Sequence, residues 1–293
     1  MRARMTGTMI VIALVALACG RGDVARGPRV VCVSKQINEF LYDIHAESVL
    51  VARDLTSVYP PAIRQLPSVG YHRALSAEGI VSMRPTMLLT DGNLGPDAVV
   101  EQVRKVGIPV VVLTPGSTPD SAQLLMQRLG TEFHHEAQAS AAVAAWKQQM
   151  SDVQRDSATW AAGRRPRVLV MHFGQMVNDY LGLKRGSTAD QIIRWAGGVN
   201  AIDSTGGMLR LTPELIAKAA PDIIIATDVG FDRLGSAAKF ASLPGVALTP
   251  AGKSGHVYRV DETEVMYFSP RTPGVLRKIA GWLHPGATSP APR

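Results

Sequence analysis

Phe133 to Trp160 reads FHHEAQASAAVAAWKQQMSDVQRDSATW, with neither glycine nor proline to interrupt it. The stretch predicts one long helix, about 40 Å at 1.5 Å per residue, which is roughly the size of a domain. That is more than a crossover needs. It predicts a rigid strut between two lobes.

The segments on either side agree. Upstream, Ser121 to Leu129 reads as a helix ended by Gly130. Before it, short apolar strands at Arg29–Val33, Val49–Ala52, Thr86–Thr90 and Ile108–Leu113 alternate with helices at Gln36–Ile44, Ala77–Ser82 and Ala98–Val106. Downstream the alternation restarts, with strands at Arg167–Met171, Asp222–Ala226 and Val257–Val260. Its helices are Thr188–Ala196, Pro213–Ala219 and Pro273–Leu283. Alternating strands and helices predict mostly parallel sheets, so the expected fold is α/β with a lobe on each side of the strut. The expected division is a signal segment 1–18, a tether 19–28, an N-terminal lobe 29–118, linking helices 119–163, a C-terminal lobe 164–284 and a Pro-rich disordered tail 285–293.

An internal echo supports two similar lobes. Leu75-Ser76-Ala77-Glu78 precedes a short helix, Pro85 and the strand Met87-Leu88-Leu89. Leu211-Thr212-Pro213-Glu214 precedes a short helix, Pro221 and the strand Ile223-Ile224-Ile225. Glu78 and Glu214 therefore hold equivalent places, one per lobe.

The N-terminus reads as an export signal: Arg2 and Arg4, then the apolar Met9 to Ala18, then Cys19. The apolar run is too short to span a bilayer. Two cuts are open: after Ala16-Leu17-Ala18, or before Cys19 as the lipidated first residue of a lipoprotein. Both place the protein outside the cytoplasm, in the periplasm. Cys32, in the apolar run Val30 to Val33, reads as a core residue, which leaves no disulfide framework. The net charge of +7 comes without basic runs interleaved with aromatics, so nucleic-acid binding is not signalled.

Val69-Gly70-Tyr71-His72-Arg73-Ala74-Leu75 carries the chemistry. Tyrosine phenolate is one of the few protein ligands of ferric haem. Its proton leaves only near pH ~10 unless a nearby cation stabilises the anion. Alone, the pair Tyr71 and Arg73 also fits an ordinary strand end with a solvated arginine.

With the segments Arg53-Asp54-x-Thr56-Ser57-x-Tyr59-Pro60, Gly70-Tyr71-x-Arg73-x-Leu75-Ser76-Ala77-Glu78-Gly79, Gly95-Pro96, Ala196-Gly197-Gly198-x-Asn200-Ala201, Leu248-Thr249-Pro250-Ala251-Gly252 and Ser269-Pro270-Arg271-Thr272-Pro273, the chain resembles the haem-binding members of the metal-chelate substrate-binding proteins of ABC transporters. His45 and Ser269 stand where that family usually has glycine. The resemblance implies the class III arrangement, two Rossmann-like lobes joined by one long helix. It implies a monomer that captures haem b in the inter-lobe cleft and delivers it to an inner-membrane permease dimer, with membrane attachment only through a lipid on Cys19. Tyr71 is implied as the iron ligand and Arg73 as its hydrogen-bonding partner. Glu78 and Glu214 are implied as the pair docking on the permease, although the helix dipole favours a glutamate in a first turn anyway.

His172, at the end of its strand, is a candidate second ligand; a loop histidine bonded to backbone is the alternative. His72, Met176, Tyr180 and Met208 are candidate pocket residues, with ordinary packing as the alternative for the methionines. His134 and His135 point in different directions along a helix and make no two-ligand face. Two other readings stand beside this one: a binder of another chelate, such as a siderophore or corrinoid, and an exported haem enzyme with peroxidase-like activity. A hydrolase is not signalled, since Gly-x-Ser-x-Gly and His-Glu-x-x-His are both missing from the sequence.

Overall fold

The computed structural model describes residues 27–114, 116–160, 163–173 and 180–286. The expected signal segment, Cys19, Met176 and most of the tail lie outside them.

The first lobe contains β1 (Val30–Val33), α1 (Lys35–Asp43), β2 (Leu50–Arg53), α2 (Ala77–Ser82), β3 (Met87–Thr90), α3 (Asp97–Lys105) and β4 (Val110–Val112). Its strands pair in the order β2-β1-β3-β4, all parallel. β1 is buried along its whole length, as a central strand covered on both faces must be. Two helices follow, α4 (Pro119–Glu132) and α5 (Glu136–Trp160).

The second lobe begins with β5 (Arg167–Phe173), β6 (Tyr180–Leu183), α6 (Thr188–Trp195), β7 (Val199–Asn200), β8 (Met208–Leu211) and α7 (Pro213–Ala219). It continues with β9 (Ile223–Thr227), α8 (Asp228–Leu234), α9 (Ala237–Ala241), α10 (Pro250–Ser254), β10 (Val257–Val260), α11 (Glu262–Met266) and α12 (Thr272–Leu283). The sheet order is β10-β9-β5-β6-β8, with β7 on β5. Among the described residues only β6 runs against the rest. β6 (YLGL) and β8 (MLRL) carry a glycine or an arginine in place of a continuous β-branched run, so the sequence pattern does not register them.

The strut starts at Glu136 rather than Phe133. Phe133 caps α4 and His134 turns the chain at φ 58°. Gly130, read as a stop, lies inside α4. A Cβ there would stand 2.5 Å from the Ala139 Cβ of α5, so the glycine permits close packing of α4 on α5.

One apolar core runs from α1 (Ile37, Phe40) through α5 (Trp146, Val153) to α6 and α12 (Ile193, Ile279). Each sheet buries its other face in a core of its own, around Val31 and Leu88 in one lobe and around Leu169 and Phe240 in the other. The sequence echo is also geometric. Ser76 and Thr212 cap α2 and α7 through their side chains. Arg84 and Ala220 then take φ 48° and 43°, each before a proline.

Candidate functional site

In an open parallel sheet, ligands sit beyond the carboxyl ends of the strands where the strand order reverses. In the first lobe that point lies between β1 and β3, which pair directly. Ser34 follows β1 and donates its hydroxyl to Asp91 Oδ2 after β3 at 2.7 Å. Asn93, two residues on, accepts from Arg73 Nε through its Oδ1 at 3.1 Å.

The Tyr71 segment is laced down on two sides. On one, Val69 N donates to Arg53 O at 2.9 Å and Leu55 N to Gly70 O at 2.7 Å. On the other, Gly95 N donates to His72 O at 2.8 Å and Leu75 N to Gly95 O at 3.0 Å. Ala74 N closes the turn onto Tyr71 O at 2.8 Å. Gly70 enters this turn at φ 102°, a conformation that side chains rarely adopt. The result is an aromatic side chain 36% exposed at the strand ends, next to Leu55, which is 57% exposed. Among the described residues Arg73 bonds Asn93 and not the Tyr71 hydroxyl.

His72, the candidate pocket residue beside Tyr71, is half-buried. Its ring packs on Tyr71 with centroids 4.4 Å apart and turns down between two loops. Nδ1 lies 3.4 Å from Thr56 Oγ1 and 3.8 Å from Asp54 Oδ2, and Nε2 lies 3.5 Å from Asn93 Nδ2. Burial lowers the imidazole pKa; Lys35 and Arg73 push the same way, and Asp54 and Asp91 oppose them. Asp54 is itself buried, holding Thr56 N at 2.8 Å and the hydroxyls of Thr56 and Ser57.

In the second lobe His172 stands near the carboxyl end of β5, half-buried, its Nδ1 3.2 Å from Thr227 Oγ1 at the end of β9. Tyr180 opposes Phe173 across the β5–β6 ladder, and the two rings meet edge to face at 5.0 Å. Burial raises its phenol pKa. Met208, the candidate pocket residue on β8, is exposed. It pairs with Leu183, at the far end of the β6–β8 ladder from Tyr180, and the antiparallel register carries it away from the strand ends where His172 stands. Met176 lies outside the described residues.

Glu78 and Glu214 are exposed second residues of α2 and α7. Hydrogen bonds from the Thr212 hydroxyl and from its own backbone hold the Glu214 carboxyl below its ordinary pKa.

The sequence reading missed the residues that line the junction of the lobes. Lys35 Nζ pairs with Glu262 across it at 2.7 Å. Tyr267 is half-buried there, its pKa raised by desolvation, then by Glu262 and Asp91 against Lys35 and Arg73. Arg271 forks onto Glu39 at 3.0 and 2.5 Å and covers the Tyr59 ring at 4.0 Å. The available signals were the Tyr59-Pro60 and Ser269-Pro270-Arg271 motifs, which carry no indication that they meet. A hollow of about 340 Å³ beside α1 and α5, lined by Asp43, His45, Trp146 and Pro270 among others, contains none of the predicted site residues.

A family profile described as periplasmic binding protein matches residues 30–264. The apo form of the periplasmic haem-binding protein RhuT from Roseiflexus sp. RS-1 superposes with a TM-score of 0.81 at 25% identity, over 90% of this chain and 100% of that one. A periplasmic haem-binding protein from Pseudomonas aeruginosa gives 0.81 at 27% identity, over 90% and 95% of the two chains. A vitamin B12-binding protein of Pectobacterium atrosepticum is 26% identical over 199 residues, 67% of this chain and 70% of its own length.

Proposed function

We propose that this chain, which belongs to the periplasmic binding protein family, captures haem b between its lobes and hands it to an inner-membrane ABC importer. The observation that carries this reading is the setting of Tyr71. A phenol is held over a third exposed on a hydrogen-bonded turn at the strand ends, with a guanidinium two residues along. Phenolate binds ferric haem iron, and a cation nearby favours the anion. The haem-binding proteins that share the fold support the same cargo. Apolar burial of the porphyrin supplies most of the remaining binding energy.

His172, near the carboxyl end of β5 in the second lobe, is the candidate second iron ligand. Glu78 and Glu214, one exposed carboxylate per lobe, dock on basic residues of the permease. The chain is exported as a monomer, either cut after Ala18 or anchored by lipid on Cys19, and it acts as a binder rather than a catalyst. A second reading, a corrinoid binder, is favoured by the vitamin B12-binding relative.

A hemin titration of the mature protein beside a Tyr71→Ala variant decides between them. A stoichiometric Soret change with a tyrosinate charge-transfer band, lost in the variant, is the expected result. No change with hemin, together with saturable binding of cyanocobalamin, would overturn the haem reading in favour of the corrinoid one.

A further inference from the structure

We propose that His72 is the positioning residue for the Tyr71 phenol, acting as a wedge that fixes the plane and reach of the ring. The proposal rests on Tyr71 being the iron ligand.

An exposed tyrosine on a turn ordinarily samples several rotamers, because nothing but water surrounds its outer half. Tyr71 differs. Among the described residues its ring has one aromatic partner, the His72 imidazole, tilted at 58° with centroids 4.4 Å apart. Adjacent residues of an extended chain point to opposite faces; the turn from Tyr71 to Ala74 instead brings these two rings together.

The wedge is itself anchored. Two loops grip it: Thr56 and Asp54 from the segment after β2, and Asn93 from the segment after β3. Its own carbonyl accepts from Gly95 N at 2.8 Å, which ties the turn to that second loop. The polar pattern admits one consistent arrangement. Arg73 donates to Asn93 Oδ1, which leaves the amide Nδ2 as the donor facing His72 Nε2. Nε2 is then the acceptor and Nδ1–H points at Thr56 and Asp54. Both ring nitrogens are turned to protein groups, so His72 does not offer one to iron. Asn93 thereby couples the wedge under the ligand to the arginine beside it. Misplacing a reacting group by about 1 Å can cost ~100-fold in enzymes; by analogy, a phenol free to tilt would hold iron less well.

The test uses full-length mature protein with hemin and the variants His72→Ala, His72→Phe and Tyr71→Ala. Resonance Raman of the Fe–phenolate modes, hemin transfer to apomyoglobin and thermal unfolding are the readouts. Expected is a His72→Ala protein that still binds hemin through Tyr71, with broadened Fe–phenolate modes and transfer faster by about tenfold or more. His72→Phe, which keeps a ring beneath Tyr71, restores most of the retention. Wild-type modes and transfer rate in His72→Ala would overturn the proposal, as would a His72→Phe protein that folds but loses hemin as fast as the alanine variant. Should His72→Ala fail to fold, His72→Leu takes its place: fast hemin loss there with near wild-type retention in His72→Phe supports the wedge, and equal retention in the two sinks it. Tyr71→Ala separates the two levels. If it keeps the wild-type spectrum, the ligand assignment fails and the wedge with it; if it loses the band while His72→Ala is silent, only the wedge fails.

Discussion

Gly70 and Gly245 both need a left-handed backbone, at φ 102° and 83°. They differ in what surrounds them. No atom stands within 4 Å of the place a Cβ would take at Gly70, whereas at Gly245 the Pro213 backbone occupies it, with Cα 2.6 Å away. Gly70→Ala is therefore expected to cost about 1–2 kcal/mol of conformational strain. On the proposed ligand role of Tyr71, the same variant is expected to release hemin faster. Gly245→Ala adds a backbone clash and is expected to cost about 3 kcal/mol or more. Urea unfolding of the apo proteins gives the ranking, and equal costs would show that the Pro213 contact relaxes freely. His45 shows the opposite case: a non-glycine at φ 57°, so the turn is kept at the expense of strain.

The strut is the decisive element. Trp146 is 5% exposed within α5 and donates Nε1–H to Ser269 O at 3.0 Å, so one side chain fastens the helix to the final segment of the chain. Trp146→Ala is expected to cost about 3–5 kcal/mol, from cavity formation and the orphaned carbonyl together. Because the core on α5 is continuous with residues of both sheets, the loss should appear as one lowered unfolding transition. Calorimetry showing two separated transitions would mean that the lobes fold independently of the strut.

Across the whole molecule the lobes are held by charge as well as by the shared core. Arg271 pairs with Glu39, whose side chain is 2% exposed. Removing the arginine leaves a buried carboxylate without its partner, so Arg271→Ala is expected to destabilise by about 3–5 kcal/mol. Hydrogen exchange should rise in α1 and α12 together; a rise in one lobe only would show that the pair does not couple them. Lys35 supplies a pH-dependent tie. Burial lowers its pKa, but the charge and hydrogen bond of Glu262 outweigh burial and raise it above 10.5. A base with a raised folded pKa contributes stability that is complete below its unfolded pKa and is lost as pH rises through the folded one. The tie should thus hold through neutral pH and fail only in alkali. Urea midpoints from pH 9 to 12 should fall more steeply for wild type than for Lys35→Met, and parallel curves would remove Lys35 from the account.

Local pattern determined much of this protein. The Val- and Ile-rich strands, the helices between them and the unbroken run ahead of Trp160 specify two α/β halves and a strut, because burial and backbone propensity act over a few residues. The Ser76 to Glu78 and Thr212 to Glu214 echo likewise repeats in space, since a cap and a first turn are local. Tyr71 and Arg73 are legible as a pair for the same reason. Register and long-range packing are not local. Only the β6–β8 ladder sets Met208 at the opposite end from Tyr180, and Gly130 reads as a stop until α5 packs against it. His72 faces the protein because two loops, closed by Asp54 and Asn93, meet beneath it. The Arg271–Glu39 pair joins residues 232 positions apart. Only the folded chain brings such groups together, because their attraction depends on a burial that no segment achieves alone.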